Sequence, residues 1–101
     1  MKAILISPEK QTIEEIQIEK QEDIADLIGY DTIESDVVGD NGDRLYFDEE
    51  CFIRGIEGRF QIDSIVPVSG KGVIVGMTGE PATLTDVVTE LDDLYKRTKF
   101  L

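Results

Sequence analysis

The run Gly72–Met77, Gly-Val-Ile-Val-Gly-Met, constrains this chain more than any other stretch. It is too short for a stable helix, lies among glycines, and is the most apolar strand candidate present. A strand of that character belongs in the centre of a sheet, so the rest of the chain must supply neighbours for it. Lys2–Ser7, Lys-Ala-Ile-Leu-Ile-Ser, is a short apolar run ended by Pro8, which suits a strand buried on both faces. Thr12–Ile18 sets Ile16 and Ile18 on one face and Glu15 and Gln17 on the other. Ile13 is out of that phase, which predicts a bend or bulge near Glu14. The two runs read as a hairpin turning through Pro8–Gln11.

The middle of the chain continues in the same period. Thr32–Val38 and Arg44–Asp48 flank Gly39–Asp43, in which Asn41-Gly42 is a strong signal for a two-residue type I′ turn. Cys51–Gly55 fits either a further short strand or irregular chain. Gly58–Asp63 alternates Phe60 and Ile62 with Arg59 and Gln61.

Two segments break the alternation. In Gln21–Gly29, Ile24, Leu27 and Ile28 stand at helical spacing, with acids in the opening turns and Gly29 placed for a left-handed cap. Thr83–Arg97 sets Leu84, Val87, Val88, Leu91, Leu94 and Tyr95 on one helical stripe, with Thr83 and Asp86 as a capping-box variant and basic residues at the far end. The expected architecture is a single α+β domain over residues 1–101. It has a mostly antiparallel sheet of about five to six strands, with a short N-terminal helix and a longer C-terminal helix packed on one face.

Charge then narrows function. The chain carries 22 acidic and 10 basic residues, a net charge of −12. Fifteen of the acids fall in residues 1–50, beside four bases. Binding duplex DNA through its phosphates draws on Lys and Arg clusters, so direct nucleic-acid binding is not expected, nor is an anionic membrane surface. A basic protein partner, or acidity that maintains solubility, remains. There is no histidine, which removes the usual general base and every Ser–His or Cys–His pairing. Cys51, the one cysteine, lies between Glu50 and Phe52, a setting for a buried thiol and not for an activated one. The opening apolar run is too short for a secretion signal, and none reaches the roughly 20 residues of a membrane span. A cytoplasmic location is the expectation.

Two glycine-bearing stretches resemble ligand loops and fail on spacing. In Val37–Glu50, placing Gly42 at the sixth position of a calcium loop puts Val37 at the first, and placing Gly39 there puts Val38 at the fifth. It reads as a hairpin. Gly70-Lys71-Gly72 leads into a strand, whereas a phosphate loop needs a helix there and Ser or Thr after the lysine. It reads as a turn, with Gly76 marking a bulge or a close approach. No cofactor, metal or catalytic residue is expected. The residues selected as an acidic interaction surface are Glu34, Asp36, Asp40, Asp43, Asp48, Glu49 and Glu50. They support a non-enzymatic interaction or accessory protein. A sharper form is a DNA mimic that occupies a basic nucleic-acid-binding or defence protein. A metal-dependent protein or weak enzyme is the third reading, without positive support.

The opening Met1–Lys10, the helix end Leu27–Glu34, the hairpin Gly39–Glu50 and the segment Val68–Val87 together resemble a family of small phage, plasmid and bacterial proteins catalogued as a domain of unknown function. The likeness covers most of the chain. Thr83-Leu84-Thr85 matches the family's helix entry after a glycine-rich strand, while Cys51–Asp63 is longer than the family's connection. The resemblance implies a mobile-element or accessory context and carries over no site residue.

Overall fold

A computed structural model describes all residues, Met1–Leu101. In chain order the elements are β1 (Lys2–Ser7), β2 (Thr12–Gln17), α1 (Glu22–Ile28), β3 (Ile33–Val37), β4 (Asp43–Asp48), β5 (Arg59–Ile62), β6 (Val68–Ser69), β7 (Gly72–Thr78), β8 (Thr83–Thr85), α2 (Leu91–Arg97) and β9 (Thr98–Phe100). The α+β class holds. The main sheet runs β2-β1-β7-β4-β3, with the apolar strand β7 at its centre and β8 alongside the end of β7. Every pairing is antiparallel. A second sheet, β6-β5-β9, takes the Phe60–Ile62 strand out of the main one. No helix is long and apolar enough to cross a membrane.

The main sheet is buried on both faces, because alternate residues of its inner strands enter two different cores. Ile4, Ile6, Leu45 and Ile74 pack with Phe60, Ile62 and Val68 of the small sheet and Leu94 of α2. Ala3, Leu5, Tyr46, Val73 and Val75 pack beneath Ile24 and Ile28 of α1. The two helices therefore lie on opposite faces, not on one. Two-sided burial also explains Ile13. It stands opposite Ile6 in an unbroken β1–β2 register and enters the first core, while Ile16, opposite Ala3, faces the second. No bulge forms at Glu14.

The C-terminal helix is much shorter than its apolar stripe predicts. Both helices have seven residues. β1 pairs only with Gly72–Ile74, which leaves the rest of that edge of β7 open. Thr83–Thr85 fills it as β8, opposite Gly76–Thr78. The Thr83 hydroxyl donates to the Thr78 carbonyl (3.2 Å) and caps no helix. Leu84 reaches the core under α1, Val87 enters the other core, and Val88 faces solvent, so the stripe is divided three ways.

The β3–β4 turn also departs from expectation. Val38 N–H donates to the Asp43 carbonyl (3.0 Å), closing a four-residue loop, Gly39–Gly42. Gly39 and Gly42 take positive φ (74° and 92°); Asn41 does not. Its side-chain oxygen instead accepts from Asp43 N–H (3.1 Å), an Asx turn. At Gly29 the left-handed cap forms as expected, with φ 91° and its N–H on the Ala25 carbonyl. Cys51 is buried in irregular chain, and Phe100 packs on the domain.

Candidate functional site

The fold sorts the seven selected acids into three groups. Asp43 is wholly buried and belongs to the interior. Its carboxylate accepts from Val88 N–H (3.0 Å), Thr89 N–H (2.7 Å) and the Thr89 hydroxyl (2.5 Å), and Asn41 Nδ2 donates onward to that hydroxyl (3.2 Å). It anchors the segment ahead of α2, and no partner can reach it.

Asp48 and Glu50 converge on one cation. Arg54 Nε reaches Asp48 at 2.5 Å and its Nη2 reaches Glu50 at 3.2 Å. Its guanidinium lies 3.9 Å from the centre of the Tyr30 ring, a cation–π contact. Burial pushes the Asp48 carboxyl upward, but hydrogen bonds from the Thr32 hydroxyl, Arg54 and Glu50 N–H outweigh it and hold the group below the ordinary carboxylate value. Asp48 is 2% exposed. Like Asp43, it leaves the proposed surface, and here the reason is that Arg54 folds the Glu49–Gly58 loop over it.

Glu34, Asp36, Asp40 and Glu49 remain exposed, and none is in an ion pair. Glu34 and Asp36 lie two apart on β3, so they share one face about 7 Å apart. β3 ends the sheet, pairing only with β4. The bonds of Val38 and Thr32 to β4 set the phase, so the backbone groups of Ile33, Ser35 and Val37 point outward. Several are already occupied. Ile33 N–H donates to the Asp31 carbonyl (2.9 Å), Val37 N–H to its neighbour Asp36 (2.8 Å), and Arg44 to the Ser35 carbonyl (3.4 Å). An edge covered in this way is poorly suited to accept an added strand. The acids do not gather into a group of three or more able to hold a metal ion.

A second feature escapes a search for acidic clusters. A cleft of about 200 Å³ opens where the β1–β2 turn, the end of α1, the end of β4 and the β6–β7 turn meet. Ile28, Ile56 and Tyr30 give it an apolar side; Ser7, Ser69, Lys10 and Lys71 give it donors. Gly58 lets these turns touch. It has φ 84°, and a Cβ there would lie 2.8 Å from Glu9 N. Two signals in the sequence marked this place: a serine ending the apolar β1 run, and the Gly-Lys-Gly turn. No protein-family model, curated protein or solved structure matches the chain.

Proposed function

We propose that this is a non-enzymatic interaction module that binds a basic protein partner through the acidic side chains of β3 and its adjoining turns. The observation that carries the reading is the contrast within the seven acids. Asp43 and Asp48 are buried in the fold and Glu50 is paired with Arg54, while Glu34, Asp36, Asp40 and Glu49 stand exposed and in no ion pair. Because half of the outer backbone groups of β3 are already occupied, the contact runs through side chains, and its strength falls as salt screens them. The likeness to small phage and plasmid proteins suits an accessory role of this kind. Mimicry of DNA asks for a longer row of charges, and the burial of Asp43 and Asp48 shortens the one available. A plain acidic contact fits the four exposed acids better.

The test is affinity capture at low and high salt with the wild type and a variant carrying Glu34→Gln, Asp36→Asn, Asp40→Asn and Glu49→Gln. A basic partner held by the wild type alone, and released by salt, supports the proposal. Partners that survive both salt and substitution sink it.

A further inference from the structure

We infer that the cleft between the β1–β2 and β6–β7 turns is a binding site for a small zwitterion of amino-acid size. Ser7 and Ser69 are 6% and 3% exposed, and neither hydroxyl has a hydrogen-bond partner within the fold. No sealed polar side-chain atom in the protein lacks a partner, so both oxygens reach solvent, and both residues line the cleft. Strand alternation agrees for Ser7. It follows Ala3 and Leu5 on the face of the sheet covered by α1, whose last turn, Ile28, walls the cleft. Buried hydroxyls left free in this way are available to a ligand.

The rim supplies both signs of charge. Lys10 and Lys71 line it, and neither is in an ion pair. Glu9 and Glu57 line it too, likewise unpaired. The close approach of the Gly58 backbone to Glu9 N brings the chain at Glu57 and the chain at Glu9 onto the same stretch of rim. A third carboxylate in the lining, Asp48, is already paired with Arg54. A simple dianion therefore meets the two free carboxylates there, and a simple cation meets two lysines. A molecule bearing a carboxylate and an ammonium satisfies both pairs. The volume lies below the roughly 300–1,000 Å³ of sites for drug-sized ligands, and Ile28 and Ile56 offer a wall for a short aliphatic side chain.

Titration of the isotope-labelled protein with L-valine, isobutyrate, isobutylamine and inorganic phosphate, followed by amide NMR shifts, tests this. Saturable shifts at Ser7, Gly70 and Lys71 are expected with valine at millimolar concentration. Each single-charge analogue should bind roughly tenfold more weakly, equivalent to about 1.4 kcal/mol. Lys71→Gln, at an exposed and unpaired position, leaves the fold intact and should weaken valine; Ser7→Ala with Ser69→Ala should abolish the shifts while the remaining spectrum is retained. Absence of saturable shifts with valine overturns the inference. Isobutyrate or phosphate binding as tightly as valine overturns it in favour of a plain anion site.

Discussion

Asp43→Ala removes the one side chain that ties the β4 strand to the stretch before α2, and the structure sets the size of the loss. Three donors are involved: Val88 N–H, Thr89 N–H and the Thr89 hydroxyl. Hydrogen bonds to a carboxylate contribute about 1.5–3 kcal/mol each, with the upper end reached where the abandoned partner cannot find water. Val88 is 59% exposed, so its amide rehydrates and its share is small. Thr89 is 7% exposed, so its N–H is left stranded, and the hydroxyl loses its acceptor. The sum is about 3–5 kcal/mol, against a total of about 5–15 kcal/mol for a domain of ordinary stability. Asp43→Asn keeps one acceptor oxygen but turns an amide NH₂ toward donors, and should cost about 2 kcal/mol. Thr89→Val removes two bonds, the hydroxyl's donation to Asp43 and its acceptance from Asn41 Nδ2; the exposed Asn41 amide regains water, so the loss is about 1 kcal/mol. The double variant should fall short of additivity because both changes break the same contact. Urea unfolding measures all four proteins. The midpoint should drop in the order Thr89→Val, Asp43→Asn, Asp43→Ala with the slope unchanged. A loss below about 1 kcal/mol for Asp43→Ala would refute the reasoning, since Asp43 would then not hold the segment that ends the helical stripe early.

Four further outcomes follow from the same packing. Gly76→Ala places a Cβ against the Asp86 carbonyl, a backbone atom that cannot swing aside, and should cost about 2–3 kcal/mol in urea unfolding. Gly29→Ala meets open space and bears only the strain of its left-handed φ, about 1 kcal/mol. Asp63 is held below its ordinary carboxylate value by Arg97, and Asp48 is held low by its donors despite burial. The folded state thus binds those protons less readily than the unfolded chain. Their contribution is present above roughly pH 4–5 and is lost as pH falls through the depressed values, so acid unfolding of an Asp48→Asn, Asp63→Asn variant should depend less steeply on pH. Cys51 is 1% exposed, so a thiol reagent should label it only as fast as the domain opens, and full-speed labelling under native conditions would contradict its position.

Strands β1 to β5 and β7 were legible because period-two alternation and short apolar runs are local properties, and the apolar centre of β7 needs no tertiary knowledge to recognise. The two- and three-residue strands β6, β8 and β9 carry too little pattern to be read. Nor was the C-terminal stripe legible. Leu84, Val87, Val88, Leu91, Leu94 and Tyr95 fit a helix on spacing alone, and what overrides them is non-local: the open stretch of β7 beyond Ile74, which β8 completes, and the buried carboxylate of Asp43, which bonds the backbone at Val88 and Thr89. The acidic surface failed at two positions for a related reason. Acids are rarely buried without a partner, and the cation that pairs with Asp48 lies 6 residues away, whereas the donors to Asp43 lie 45–46 away. Only the first distance is short enough to suggest itself from the chain.

The use of the cations connects the fold to the cleft. Acids outnumber bases by more than two to one, so most basic side chains have carboxylates to choose from. Two arginines take two acids each: Arg54 grips Asp48 and Glu50, closing a loop over the end of β4, and Arg97 grips Asp63 and Asp93, fastening α2 to the chain after β5. Arginine suits both places because its planar fork engages two carboxylates at once. Lys10 and Lys71 behave differently. They stand on separate turns, beside unpaired Glu9 and Glu57, and close no ion pair. Solvated surface charge accounts for either lysine taken alone. It does not account for the placing of Ser7 and Ser69 in the same cleft, where their hydroxyls bond no protein group and meet solvent that a ligand can displace. The charges and the hydroxyls are explained together by a molecule that enters the cleft.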